Sequence, residues 1–342
     1  MILLLSGLAA LCLALANGSN DNFKGVATLL GSRTTDYRRA LAWGTLTTAA
    51  GSVAAIFLAG GLMETFRGAG IVPPDTALDP RFAAAVACGA AATVLSASRV
   101  GMPVSTTHSL IGSLVGAGMM AAGSISWDSL GSKLLLPLLS SPLIAFAGVA
   151  VAYNLLHAAR LKMGIERGGQ VESGQSDEER YRGRILGLSA HSGIALLHYI
   201  SAGSVGFARG LNDTPKIAAL LLVAPAFEPT TALLTVGLAI ATGAWLGARR
   251  VASTLAHGIT RMNAGQGLIA NAVTAVVVIA SSRFGLPAST THVSCGALIG
   301  IGAAAHGAIW GTIRKILLAW VVTMPIAGAI SALAYLALPS AS

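Results

Sequence analysis

The stretch RVGMPVSTTHSLIGSLVGAG at residues 99–118 occurs a second time, as RFGLPASTTHVSCGALIGIG at 283–302, without gaps and with 11 identities in 20 positions. A repeat of this kind has to be settled before single elements are assigned. Working outward, ANGSNDNFKGVATLL (16–30) pairs with ARGLNDTPKIAALLL (208–222), with 8 identities in 15, and the two motifs keep their order in both halves. The chain is a duplication, with a first half at 1–159 and a second at 185–342. Between them lies RLKMGIERGGQVESGQSDEERYRGR (160–184), rich in Gly, Ser and Gln, with 11 of the 35 charged residues (22 Lys+Arg and 13 Asp+Glu). That composition reads as a hydrophilic linker.

The whole chain is 54% hydrophobic and 10% charged, with a mean hydropathy of +0.73, which excludes a soluble domain of this length. Recurrent charge-free stretches, most long enough to cross a hydrocarbon core, make it an all-α polytopic membrane protein. The apolar start could be taken for a secretory leader ending at Ala14-Leu15-Ala16, but it lacks a basic region ahead of it. Cys12, Cys88 and Cys295 sit in apolar segments without CxxC spacing, so neither disulfides nor a metal site is expected.

Five crossings per half are expected: 2–31 with a break at its polar patch, 40–63, 82–98, 100–123 and 134–159, then 185–224 with a break, 229–248, 262–282, 284–305 and 316–338. With both termini outside, fifteen Lys and Arg fall inside and four (Arg67, Arg81, Lys133, Arg283) outside, as the positive-inside rule requires. The net charge of +9 thus encodes orientation in a cell membrane rather than nucleic-acid binding. An odd number of spans per half turns the second copy over, giving an inverted-topology repeat with broken or re-entrant helices, the architecture of many secondary transporters. The STTH segments, with Pro ahead and Gly behind, suit a re-entrant hairpin as well as a through-helix.

Inside this grease the ionisable exceptions are Asp21, Lys24, Arg209, Asp213 and Lys216. An Asp or Lys at mid-membrane costs about 2.5–3.5 kcal/mol, so a duplicated set needs a reason. Local Asp–Lys pairing at i, i+3 lowers the cost without explaining the duplication. Asn20-Asp21 and Asn212-Asp213 offer hard oxygen ligands for a small coupling cation. Ser105, Thr106, Thr107 and Ser289, Thr290, Thr291 offer hydroxyls at a helix start, where free amides and the positive dipole end favour an anion. Together they suit coupled uptake of a cation and an oxyanion.

His108 and His292 suit capping or packing as well as proton relay. Arg99 and Arg283, six residues before each hydroxyl motif, suit interface anchoring or anion steering. The sequons at Asn17 and Asn212 lie in membrane breaks and are rejected, and the other five histidines have no paired context. No Walker sequence is present, which argues against ATP hydrolysis by this chain.

A doubled Asn-Asp motif followed by a doubled Pro-x-Ser-Thr-Thr-His motif resembles the inorganic phosphate transporter (PiT) family over essentially the whole chain. The resemblance implies a secondary transporter that takes up inorganic phosphate with sodium or protons, in some relatives sulfate, by alternating access. It implies that Asn20, Asp21, Asn212 and Asp213 hold the coupling cation and that Ser105, Thr106, Thr107, Ser289, Thr290 and Thr291 surround phosphate. It implies no cofactor beyond the coupling ion, and it leaves homodimerisation open. Many members continue as Asn-Asp-x-Ala-Asn, whereas this chain has NDNFK and NDTPK, with Lys24 and Lys216 in place of the last Asn. A fixed ammonium there either stands in for a bound cation or binds the anion, and coupling is expected to differ in stoichiometry or to use protons. Rival readings are another tetrahedral oxyanion such as sulfate, an anion channel, and an intramembrane hydrolase using Ser105 with His108 or Ser289 with His292. Neither histidine has an evident orienting acid nearby in sequence.

Overall fold

The first half begins with α1 (Ile2–Asp21), α2 (Phe23–Gly31), α3 (Tyr37–Leu58), α4 (Gly60–Phe66) and α5 (Pro74–Ala77). It continues with α6 (Pro80–Arg99), α7 (Thr106–Ala122), the one-turn α8 (Trp127–Ser129) and α9 (Leu136–Lys162), the last entered through a π-helical turn at Leu130–Leu135. The second half runs α10 (Ala190–Leu221), α11 (Pro229–Gly247), α12 (Arg249–Ser253), π-helical Thr254–Gly258, α13 (Ala264–Arg283), α14 (Thr290–Ala304) and α15 (Trp310–Ala337). This computed structural model describes residues 1–68, 70–167, 181–185 and 188–339, so 168–180 of the expected linker lie outside the described residues. Beside it β1 (Glu166–Arg167) pairs antiparallel with β2 (Tyr181–Arg182), and β3 (Arg184–Ile185) with β4 (Leu188–Ser189).

Helix starts follow capping chemistry. Asp36 accepts the Arg39 N–H at 2.9 Å at the head of α3, and Asp79 caps α6 with Pro80 in its first turn. Asn263 and Gln266 form a reciprocal capping box on α13.

Among the described residues, seven helical stretches are long and apolar enough to cross a membrane. The 32-residue α10 has the length, about 48 Å at 1.5 Å per residue, but carries Arg209, Asp213 and Lys216. The polarity is inside-out: Phe57, Leu143, Leu238, Leu246 and Val321 are exposed, while Asn17, Asp21, Arg209 and Lys216 are buried. An apolar exterior over a polar centre is what a hydrocarbon solvent selects.

Two expectations change in detail. The breaks at the charged motifs are slight: Asn22, between α1 and α2, keeps helical dihedrals (φ −61°, ψ −30°), and α10 runs unbroken through its motif with Pro215 inside it. Lys24, Lys216 and Arg209 each donate to side chains of the other half, while Asp21 and Asp213 are met mainly within their own, and these side-chain contacts form without unwound backbone. The expected crossings at 100–123 and 284–305 shrink to α7 and α14, of 17 and 15 residues, about 26 and 22 Å long against a core of about 30 Å. Each is preceded by a non-helical segment, 102–105 and 286–289, so both begin in the protein interior. That depth is open to irregular backbone only because protein surrounds it.

The major helix contacts are paired by exchange of halves. α1 packs on α6 and α11 as α10 packs on α13 and α3, and α7 packs on α15 as α14 packs on α9. The last helix of each half therefore covers the short helix of the other. The close crossings need glycine: a Cβ on Gly18 would run into the carbonyl of Ile240 and one on Gly210 into that of Thr48, at the equivalent α1–α11 and α10–α3 contacts.

Candidate functional site

Ser105 and Ser289 cap α7 and α14 by accepting the N–H of His108 at 3.0 Å and of His292 at 3.2 Å. The Ser289 hydroxyl donates to that of Ser105 at 2.7 Å, so the two helix N-termini meet head to head. Helix geometry leaves the N–H groups of Thr106, Thr107, Thr290 and Thr291 without intrahelical acceptors, and two positive dipole ends converge on one buried place. Such a junction favours an anion.

Asn20 and Asn212 hold the segments leading into these helices. Asn20 donates to Ser98 Oγ at 2.9 Å and to the Met102 carbonyl at 3.0 Å, and accepts the Val104 N–H at 3.1 Å. Asn212 donates to the Ala288 carbonyl at 3.1 Å and accepts from Ser282 Oγ at 3.2 Å. Both amides are thereby engaged in positioning backbone.

Between the helix ends lie the five ionisable groups, all buried. Lys24 Nζ is 2.6 Å from Asp21 Oδ2 and donates to Thr290 Oγ1 at 3.0 Å. Lys216 Nζ is 3.6 Å from Asp213 Oδ1 and donates to Thr107 Oγ1 at 2.9 Å and to the Ala288 carbonyl at 2.7 Å. Each ammonium thus pairs with the aspartate of its own half and the threonines of the other. Thr106 donates to Asp21 at 3.1 Å and Thr290 to Asp213 at 3.3 Å, while Thr291 donates to the Val104 carbonyl across the halves at 2.8 Å. The twelve expected residues lie close together: the aspartates, lysines and Thr106, Thr107 and Thr290 bond to one another, Ser105 and Ser289 meet at the helix ends, and Asn20 and Asn212 hold the flanking backbone.

Two members escaped the sequence reading as site residues. Arg209 donates to Asn17 Oδ1 at 2.7 Å and to Thr48 Oγ1 at 3.1 Å, with Nε 3.8 Å from Asp213 Oδ2. Asn17 passes the contact on, donating to Asp21 Oδ2 at 2.9 Å, Thr106 Oγ1 at 3.0 Å and Asp213 Oδ2 at 3.4 Å. Asn17 and Arg209 occupy aligned positions of the repeat, and that mismatch inside an otherwise matching motif was the available signal. In their usual ionisation states three cations face two carboxylates, an excess of one positive charge. Among the described residues, Asp21 Oδ1 and Arg209 Nε have no hydrogen-bond partner. Buried groups of this kind call for a ligand or an exchanging proton.

His108 and His292 stack ring on ring at 4.1 Å, and His292 also meets the Trp320 ring at 3.6 Å. His292 Nδ1 is 2.7 Å from Ser289 Oγ, a serine–histidine contact, but its Nε2 has no partner among the described residues where a hydrolase would place an orienting acid. His198, expected to be ordinary, is buried with Nε2 2.9 Å from Thr28 Oγ1, which also accepts from Asn271 at 2.7 Å.

Among known proteins, a probable low-affinity inorganic phosphate transporter of Rhizobium meliloti (strain 1021) is 32% identical over 98% of this chain and 96% of its own length. A putative phosphate permease of Pyrococcus abyssi is 28% identical over 97% of each chain. A probable low-affinity inorganic phosphate transporter of Mycobacterium tuberculosis H37Rv is 29% identical over 69% of this chain, which spans 55% of that relative. A solved sodium-dependent phosphate transporter superposes with a TM-score of 0.79 over 98% of both chains at 22% identity, which shows the shared fold. The family profile of these permeases, which are not enzymes, matches residues 17–331, and the chain belongs to the phosphate transporter family.

Proposed function

We propose that the chain is a secondary transporter of inorganic phosphate in which the ammonium groups of Lys24 and Lys216 take the part of bound coupling cations. The two halves act as inverted repeats, opening the buried site to one membrane face and then the other. Phosphate sits at the head-to-head N-termini of α7 and α14, among Ser105, Thr106, Thr107, Ser289, Thr290 and Thr291. The excess positive charge at Lys24, Lys216 and Arg209 holds it there.

The observation that carries this reading is the placement of each lysine between an aspartate and a threonine hydroxyl of the opposite half. Asp21 and Asp213, with Asn20 and Asn212, make a sodium site only if their oxygens are free. Here the asparagines position backbone and the carboxylates face ammonium groups, which supports proton coupling over sodium coupling. Asp21 Oδ1 is open to a proton or to the P–OH of the substrate. Sulfate has no such donor near neutral pH, so an acceptor at this place favours phosphate over sulfate.

The test is uptake of radiolabelled phosphate into proteoliposomes, with sulfate as competitor. Saturable uptake resistant to a large excess of sulfate is expected; equal competition by sulfate contradicts the assignment of substrate.

A further inference from the structure

Beside the buried site, on the side where α3 begins and α6 ends, the protein holds a cavity of about 1050 Å³ lined by Arg38, Arg99, Arg249, Arg250 and His257. All five side chains are exposed, and they come from α3, α6, α12 and the π-helical turn after it. No carboxylate lines the cavity, and among the described residues none of the four arginines pairs with one. Single-sign walls around a concavity focus the field and concentrate a counter-ion.

The cavity lies next to the site without opening into it. Its lining includes Ser98, whose hydroxyl accepts from Asn20, so a single side chain stands between it and the residue next to Asp21. Arg250 donates to the Arg99 carbonyl and Thr254 donates to the Gly101 carbonyl at 2.8 Å, tying α12 and the following turn to the backbone that leads into α7. Gly101 takes a left-handed φ of +72° there.

We infer that this cavity is a staging site for a phosphate-type oxyanion, held by Arg38, Arg99 and Arg249 before it enters or after it leaves the transport site. The inference rests on the reading of the chain as a phosphate transporter. Arginines on a cytoplasmic face also orient membrane proteins, but orientation needs charge near helix ends, not convergence on one concavity. Arg33, Arg314 and Lys315 are assigned to the same face by the charge rule and stand outside the lining.

The test compares the unaltered chain with Arg38→Gln/Arg99→Gln/Arg249→Gln, the corresponding Lys triple, and Arg33→Gln/Arg314→Gln/Lys315→Gln. Each is reconstituted in phosphatidylcholine alone and with phosphatidylglycerol. In the first variant KM for phosphate rises roughly ten-fold for flux from one membrane face with kcat unchanged. The Lys triple and the displaced-charge variant keep the ordinary KM. An effect present in both lipids assigns the site to free phosphate. An effect confined to phosphatidylglycerol vesicles, with loss of that lipid from the purified variant, assigns it to a headgroup phosphate. Equilibrium binding of radiolabelled phosphate to the purified full chain reads the cavity apart from transport. No uptake by the unaltered chain refutes the functional reading. Identical KM, binding isotherms and lipid retention in the unaltered and Gln chains overturn the staging site.

Discussion

Lys24 donates its ammonium proton to Thr290 Oγ1 at 3.0 Å across 266 residues of sequence. Lys216 does the same to Thr107 at 2.9 Å in the opposite sense. The two contacts close the halves over one site and put a fixed cation beside each aspartate. Removing one lysine leaves an aspartate buried and unpaired, at a cost on the order of 3–5 kcal/mol. Lys24→Met therefore lowers both thermal stability in detergent and phosphate uptake. Asp21→Asn/Lys24→Met, which removes the pair together, recovers the stability but not the uptake; a thermal shift assay beside an uptake assay reads both.

Arg209 carries the positive charge that has no mate in the first half. Its guanidinium fork reaches Asn17 and Thr48 while its Nε faces Asp213. Arg209→Gln weakens phosphate affinity by about 1.5–3 kcal/mol, a ten- to hundred-fold rise in KM. Arg209→Lys restores little of it, because an ammonium cannot serve both partners in that geometry. Uptake at graded phosphate concentration measures the difference.

The Ser289–His292 contact has the distance of a nucleophile–base pair but none of its support. His292→Phe keeps the stack between His108 and Trp320 and leaves uptake within about two-fold, a change under 0.5 kcal/mol. Ser289→Ala removes both the cap of α14 and the hydroxyl that joins the helix ends, at about 1 kcal/mol for the cap alone, and reduces uptake more strongly. Proton relay through His292 predicts the reverse ranking.

Gly18 and Gly210 set the backbone approach at the two equivalent crossings that carry the charged motifs. Gly18→Val drives a branched side chain into the Ile240 carbonyl, with overpacking of about 1–3 kcal/mol or more and displacement of Asp21 three residues on. Reduced yield of monodisperse protein, beside normal yield for Gly7→Val where nothing lies within 4 Å, is the expected result of size-exclusion chromatography.

The repeat, the membrane setting and the twelve residues proposed for the site are legible in the sequence because duplication marks them twice. What the sequence hides is contact between halves. Helical spacing pairs Asp21 with Lys24, but nothing in one half says that Thr290 completes the set. Equivalent residues of the two copies meet each other, as Ser105 meets Ser289 and His108 meets His292. Two arginines meeting there would repel, so the copies diverge at that place into Arg209 and Asn17, which bond to each other. A search for identities passes over that pair for this reason. The depth of α7 and α14 was open for a similar cause, since a Pro- and Gly-marked helix start has the same composition at an interface and inside a protein.

In the proposed mechanism the tethered ammonium groups replace sodium. The most direct measurement is the initial rate of phosphate uptake into proteoliposomes under an inward sodium gradient and, separately, an inward proton gradient, for the unaltered chain and for Lys24→Asn/Lys216→Asn. The unaltered chain is expected to respond to the proton gradient and not to sodium, and the double variant to lose this behaviour. Steep sodium dependence of the unaltered chain, with the double variant transporting normally, contradicts this mechanism.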